Sequence, residues 1–336
     1  MSPRRRSVLL ITSAVVALAL IGAGGGGWWY VSSLDDQIAR TDAFGPTPGV
    51  SRPAKVAPDA LNFLLMGADE ATTESDSQVE PGAARADTIM LVHVPADRKS
   101  AQVISIPRDT WVTVPPSGDG TAAREAKINA AFAWGQAPLM VRTVETFTGV
   151  HIDHTVVVAF DGFARVIDAL GGIDITVDTT FTSASLPKRV FTAGPQHMDG
   201  AAALDYARQR KPFADGDFTR VRHQRDILGA VFDSASRLNV LSGPAKLDSV
   251  IRSAAGAVTV DQTLSIVDMV RTLADLKRAD LSMLTSPSSG TGMIGDQSVV
   301  FCDQAAAYEL YDAVRTDHMG PWLAAHPQPS QVTVGG

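Results

Sequence analysis

The sequence predicts an α/β fold, and three features carry that expectation. Short β-rich runs occur at 61–66, 88–94 and 102–106. A strand, a helix and a second strand follow in close succession between His154 and Val177. Helical stretches then alternate with further short strands as far as Thr316. Strands that alternate with helices imply a substantially parallel sheet covered on both faces.

Each element has a local reason. The run 61–66 is apolar apart from Asn62 and stops at Gly67, as a buried strand would. Residues 71–84 form a polar, acidic loop with a Pro-Gly turn, readable either as a lid or as a spacer. Strands 88–94 and 102–106 are joined by a turn at Asp97, Arg98 and Lys99. Residues 127–147 read mostly as helix, interrupted between Gly135 and Pro138. The strand 154–159 is β-branched, and Asp161 suits the N-cap of a helix running to Leu170. Gly171 and Gly172 can take the left-handed conformation that ends that helix, and 173–177 is the next strand. Helices are expected over 201–208, 221–238, 244–255 and after Asp261. Strands at 281–285 and 299–301 and a helix over 304–316 complete the domain.

The division along the chain is therefore a membrane anchor over 1–31, a linker over 32–59, a folded domain over 60–318 and a flexible tail over 319–336. Arg4, Arg5 and Arg6 precede an uncharged apolar run from Val8 to Val31, long enough as a helix to cross the ~30 Å hydrocarbon layer. Basic residues on the short side stay cytoplasmic, which sends the rest outward, with Trp28, Trp29 and Tyr30 at the outer interface. A cleaved signal peptide, with Ala23 before the cut, and a twin-arginine export signal are the alternatives. Gly22, Gly24 and Gly27 match a dinucleotide fingerprint, but they end an apolar segment and lack the strand and helix that it needs. Pro46, Pro48, Pro53 and Pro58 make 32–59 read as a stalk.

Composition removes several function classes. A net charge of −7 gives no reason to coat nucleic acid, so any anion site must be a local basic cluster. The single cysteine, Cys302, excludes an intramolecular disulfide and a cysteine zinc cage, and reads as a small, part-buried apolar residue. There is no G-x-S-x-G, H-E-x-x-H, Walker A or paired C-x-x-C motif.

What stands out is arginine beside aspartate. Arg85 and Asp87 precede the strand 88–94, and Arg108 and Asp109 follow the strand 102–106. Arg208, Arg210 and Lys211 end a helix, and Asp217, Arg220, Arg222 and Arg225 follow closely. The planar arginine fork donates two parallel hydrogen bonds and stays charged, so several converging arginines suit a pyrophosphate. Carboxylates in the same set suit Mg²⁺, which takes one or two of them together with phosphate oxygens. Ligand sites in open α/β sheets lie at the carboxyl ends of strands, where Arg108 falls. Arg85 and Asp87 open their strand, so they reach that end only if the strand runs antiparallel to its neighbours. The opposing view is that these are surface ion pairs worth under ~1 kcal/mol, with Asp217 to Arg225 a solvated helix face.

Taken in order, these segments resemble the LytR-CpsA-Psr family of cell-wall glycopolymer ligases. The matching stretches are Asn62-Phe-Leu-Leu-Met-Gly-Ala-Asp69, Arg85-Ala-Asp-Thr-Ile-Met-Leu-Val92, Ser105-Ile-Pro-Arg-Asp-Thr110 and Lys127-Ile-Asn-Ala-Ala131. Asp168-Ala-Leu-Gly-Gly-Ile-Asp174, Gly194-Pro-Gln-His-Met-Asp-Gly200, Leu204-Asp-Tyr-Ala-Arg-Gln-Arg210 and Asp217-Phe-Thr-Arg-Val-Arg-His-Gln224 follow. The resemblance is strong over about 60–235 and looser to about 318. It implies a three-layer α/β/α fold with a central mixed sheet, behind one N-terminal transmembrane helix. It implies transfer of a glycan from a polyprenyl-pyrophosphate donor to a peptidoglycan acceptor, with polyprenyl phosphate released, at the outer face of the cell membrane and without nucleic acid. Arg85, Arg108, Arg208, Arg210 and Arg220 would clamp the pyrophosphate, with Lys127 and Gln224 lining the site. Asp87, with Asp69, would hold Mg²⁺ or Mn²⁺.

The sequence departs from the family pattern at Thr219 and Gln136, where Gly is expected, and at His223, where Arg or another polar residue is. His223 reads as a surface or hydrogen-bonding residue rather than a ligand. Water as acceptor, giving a pyrophosphate hydrolase, needs the same clamp and stays open, as does a non-catalytic envelope binder. The richness in Ala, Gly and Arg suggests a high-GC actinobacterium, with arabinogalactan as the candidate polymer.

Overall fold

The computed structural model describes residues 38–45, 51–69, 85–117, 121–185, 187–209, 216–237, 248–250, 252–253, 258–273 and 276–327. The anchor expected over 1–31, the loop 71–84 and Arg210 lie outside them, and among the described residues no helix is long and apolar enough to cross a membrane.

A seven-stranded mixed sheet forms the centre, with strands in the order β1 (Ala39–Thr41), β12 (Val258–Asp261), β7 (His154–Ala159), β2 (Leu61–Asp69), β3 (Arg85–Val94), β4 (Ala101–Ser105) and β13 (Leu281–Thr285). β2, β4, β7 and β13 run one way; β3, β12 and β1 run the other. Along β2 the side chains alternate between two cores. Leu64 and Met66 join one with α1 (Ala130–Thr148) and α6 (Gln304–Arg315), while Phe63 and Leu65 join another with α4 (Gly216–Arg237) and α5 (Ile266–Leu273). Both faces are thus apolar and covered, giving three layers.

A third cluster lies beside the sheet. β8 (Ile173–Val177) pairs antiparallel with β11 (Gly194–Met198), and not with the central sheet. This corrects the expectation that 154–177 supplies two strands of one parallel sheet. β8 buries Ile173, Ile175 and Val177 and exposes Asp174 and Thr176, the alternation of a strand covered on one face only. The two-stranded β9 (Phe181–Thr182) and β10 (Val190–Phe191) pack here with α2 (Phe160–Ala169) and α3 (Gly200–Arg208). The caps also differ from expectation. α2 starts at Phe160 with Ala159 as N-cap, whereas Asp199 caps α3 by accepting from Ala202 N at 2.7 Å. Gly200 must stay glycine, because a Cβ there would lie 2.1 Å from Ala164 O on α2.

The Pro-rich stretch read as a stalk contributes packed residues. Ala39–Thr41 form edge strand β1, parallel to β12. Arg52 donates to the buried Glu145 through Nε at 3.0 and 3.1 Å and Nη2 at 2.6 Å, and Glu145 also accepts from Ile152 N at 3.0 Å. Lys55 pairs with Asp153 at 2.6 Å. At the other end, α7 (Met319–Ala325) replaces the expected frayed start of the tail, since Met319 is buried and Trp322 and Leu323 pack on the α1 core. Proline content marks where regular structure stops, not whether the chain is packed.

Inside α1, Gly135 and Gln136 leave helical geometry, and Gln136 has φ +53. A glycine is free of strain there, which gives the expected family glycine its physical reason. Asp261 does not cap α5 itself. It caps the turn before it, accepting from Thr263 N at 2.9 Å and Leu264 N at 3.0 Å, and it also accepts from Thr155 N at 3.0 Å on β7. Burial would raise its pKa, but the bonds from His154, Thr263 and Thr155 outweigh that and hold it well below the usual carboxylate range.

Glu145→Ala is expected to lower unfolding free energy by about 3 kcal/mol in urea titrations, since it strands Arg52 and the Ile152 amide; an unchanged midpoint would refute the role given to this pair. Asp226 on α4 supplies a pH test. Burial first, then Asp178, push its pKa up from 3.8 to about 6. The folded state therefore holds this proton more tightly than the unfolded one. The stabilisation is full below the unfolded value and is lost as pH rises through the folded one. Asp226→Asn should remove that component, so that the stability difference between variant and parent shifts in favour of the variant between pH 4 and 7.

Candidate functional site

The antiparallel condition set by the sequence is met. β3 pairs antiparallel with both β2 and β4, so its first residues stand at the carboxyl ends of β2 and β4. Arg85 is the cross-strand partner of Asp69, the last residue of β2. Between them lies a bulge. Thr88 pairs with Gly67 and Ala86 with Ala68, leaving Asp87 as the extra residue of β3. A bulge bends its strand and redirects a side chain. Asp87 accepts a short hydrogen bond from Arg108 Nη1, across from the loop that leaves β4.

That loop is held from several sides. Ile106 N donates to Ile89 O at 2.9 Å, and Thr110 N and Oγ1 donate to Pro107 O at 3.0 and 2.7 Å. Asn129 N donates to Arg108 O at 3.2 Å, and Ile128 N to Thr110 O at 2.8 Å, which fixes the loop to the start of α1. Val300 N, on β15 (Gln297–Cys302), donates to Asp109 O at 2.9 Å. β15 and β14 (Ser288–Ile294) form a hairpin that follows β13 directly.

Lys127 arrives on a second hairpin, of β5 (Trp111–Val114) and β6 (Arg124–Lys127), opposite Trp111 in the ladder. Its Nζ lies 3.3 Å from Asp109 Oδ1, and Asp109 Oδ2 lies 3.6 Å from Arg108 Nε. Asp87, Arg108, Asp109 and Lys127 thus form one chain of alternating charge, each side chain between 10 and 28% exposed. Sequence reasoning selected three of these four. Asp109 was visible only as the neighbour of Arg108, and its position became apparent when β6 brought in Lys127.

The remaining expected residues approach from the helices. Arg208 is exposed at the end of α3. Arg220 and Gln224 lie in the first half of α4, with Gln224 half-buried. α3 and α4 are tied where they adjoin, since His223 is buried, bonds Tyr206 O through Nδ1 at 3.1 Å and stacks on the Tyr206 ring at 4.0 Å. Of the two expectations for His223, the hydrogen-bonding one holds and the surface one does not, since the ring is buried. Thr219 is also buried, and its hydroxyl accepts from Arg222 Nη2 at 3.1 Å. α4 runs antiparallel to β13. Asp233 pairs with Arg278, just before β13, at 3.3 Å, and Arg225 Nη2 donates to Met283 O in mid-strand at 2.6 Å. The earlier turn carrying Arg220 therefore points to the carboxyl end of β13, the same end as Arg108. Among the described residues there is no group of three or more His, Cys, Asp or Glu able to hold a metal ion.

Known proteins share this architecture. The profile of the LytR_cpsA_psr family matches residues 35–316. The chain is 33% identical over 289 residues to the probable cell wall biosynthesis protein LcpB of Corynebacterium glutamicum, covering 84% of this chain and 66% of that protein. It is 37% identical over 198 residues to the polyisoprenyl-teichoic acid–peptidoglycan teichoic acid transferase TagV of Bacillus subtilis, covering 58% of this chain and 48% of the other. The chain spans just under two thirds and about half of the length of these two relatives. The crystal structure of B. subtilis TagV aligns with a TM-score of 0.63 at 28% identity, over 77% of this chain and 98% of that one. With most of its length matched and its central sheet shared, the chain belongs to the LytR-CpsA-Psr family.

Proposed function

We propose that this protein is a membrane-anchored phosphotransferase that moves a glycopolymer from a polyprenyl-pyrophosphate carrier onto peptidoglycan outside the cell. The observation that carries the proposal is the convergence of Arg108, Asp87 and Lys127 at the carboxyl end of the sheet, in a chain whose relative TagV is named a transferase of teichoic acid to peptidoglycan. Arabinogalactan is the candidate polymer, on composition.

The residue types suit the reaction. Phosphoryl transfer needs positioning and charge neutralisation rather than a covalent nucleophile. Arg108 offers a planar fork to the bridging and terminal phosphate oxygens, and Lys127 a point charge beside it. Arg85, Arg208, Arg210 and Arg220 complete the clamp, with Gln224 at its border. A muramyl hydroxyl oxygen forms the new bond to the glycan-side phosphorus. The bond from that phosphorus to the bridging oxygen breaks, and polyprenyl phosphate leaves with the bridging oxygen. The hydroxyl proton passes to one of the two aspartates assigned to the metal, Asp69 or Asp87.

The donor set fits Mg²⁺ or Mn²⁺. Asp87, the extra residue of the bulge, and Asp69, which ends β2 opposite Arg85, would supply hard oxygen ligands, and such an ion needs only one or two carboxylates when phosphate oxygens provide the rest. When bound, it would neutralise developing charge on the leaving phosphate.

The test incubates the full chain with a short-chain polyprenyl-pyrophosphate glycan, peptidoglycan oligomers and Mg²⁺, and follows the phosphodiester product by mass spectrometry. Arg108→Ala is expected to lower kcat about 10²–10³-fold, the loss typical of one preorganised charge donor. Chelation should stop turnover, and added Mg²⁺ should restore it. Free phosphorylated glycan as sole product would replace peptidoglycan with water as acceptor, and tight lipid binding without turnover would leave a binding protein.

A further inference from the structure

One carboxylate at this site has no part in the chemistry just described. Asp109 is 7% exposed, and its two oxygens face two different cations, Lys127 at 3.3 Å and Arg108 at 3.6 Å. Those cations come from separate elements, the loop after β4 and the end of β6. The backbone that carries this carboxylate is fixed, because the Asp109 carbonyl is bonded by Val300 N and the next residue is bonded twice to Pro107 O.

We propose that Asp109 is a positioning residue that sets the plane of the Arg108 fork and the reach of Lys127, so that both address the same phosphate. This rests on the phosphotransfer reading and deepens it. Asp87 holds Arg108 at Nη1, and Asp109 flanks it at Nε. The Nη1 hydrogen bond fixes one edge of the planar group, and the carboxylate 3.6 Å from Nε, beyond hydrogen-bond reach, steers the rest by charge. A lysine side chain has many rotamers, and the carboxylate 3.3 Å from its Nζ removes part of that freedom before substrate arrives.

The electrostatic consequence separates this role from simple binding. A negative charge beside a phosphate clamp lowers its positive potential, so Asp109 opposes anion affinity while it improves aim. A residue that only bound anion would be better as Asn. A residue that only held the fold would, when changed, weaken binding and turnover together.

The experiment compares the full chain with Asp109→Asn, measuring inorganic pyrophosphate affinity by calorimetry and glycan transfer by product formation. Affinity should be equal or tighter, while kcat falls about 10–100-fold, the usual loss for an outer residue that orients a ligand-binding group. The loss should be non-additive with Lys127→Ala, because the two changes remove one interaction. A kcat within twofold of the parent, or a joint fall in kcat and affinity, overturns the proposal. If Asp109→Asn melts early, Asp109→Glu takes its place: charge is kept but displaced, and kcat should still fall with affinity retained. A parent chain that forms no phosphodiester product would sink the phosphotransfer reading itself. An inactive Arg108→Ala beside a fully active Asp109→Asn would sink only this inference.

Discussion

The site depends on one constraint, the antiparallel insertion of β3 between two strands that run parallel to each other. In an all-parallel sheet the start of every strand lies opposite the ligand end. Reversing β3 brings Arg85 and Asp87 to the end where β2 finishes at Asp69 and β4 feeds Arg108. The bulge adds the second half of the arrangement. Without it, register would carry on through Gly67 and Asp87 would take a regular place in the ladder. With it, the carboxylate meets the Arg108 guanidinium. Strand direction and a single extra residue thus place opposite charges that the sequence separates by 21 positions.

The alternating charges also bear on how an acidic protein can hold an anionic substrate. At a net charge of −7 the whole molecule does not attract phosphate, so attraction must act at short range. Asp87 and Asp109 balance Arg108 and Lys127, which limits the cost of keeping part-buried charges together without ligand. On the proposed function, a pyrophosphate and a divalent ion would enter such a set as a pair, the anion meeting the cations and the ion meeting the carboxylates. Neutrality in the free state and complementarity in the bound state then have the same origin.

How much of this could be read in the sequence varies with the kind of signal. The strands 154–159, 173–177 and 281–285 match the structure in range, because β-branched and apolar runs declare them locally. The strands β1, β5, β6, β9, β10, β11, β12 and β14 are not signalled by the sequence. Arg124–Lys127 and Gly194–Met198 carry no β-rich run, and only pairing makes them strands. For β8, strand-helix-strand order predicts a parallel neighbour, whereas the polar alternation at Asp174 and Thr176 fits one covered face and the antiparallel partner β11. Arg52 and Met319 were hidden by the Pro-rich segments around them. At the site, Arg108, Asp87 and Lys127 were legible as motif residues, whereas Asp109 needed the fold to bring β6 to the loop after β4.

The helix side of the site shows why neighbouring arginines on α4 are not equivalent. Arg225 points inward and gives Nη2 to Met283 O, a carbonyl on the outermost strand of the sheet. An edge strand presents carbonyls that need partners, and this arginine supplies one from the covering helix. Arg222 bonds Thr219 on its own helix and approaches Asp178 beside the third cluster at 3.7 Å. One arginine therefore anchors α4 to the sheet and the other belongs to the junction with the third cluster. Burial lowers the pKa of Arg225 and raises that of Asp226, so each charge is unfavourable alone and eased by the other. The bond from Arg225 to Met283 O fixes the middle of α4 over β13. Because the helix runs antiparallel to the strand, fixing its middle also sets how far its first turns, with Arg220, extend toward the end of the sheet where Arg108 stands.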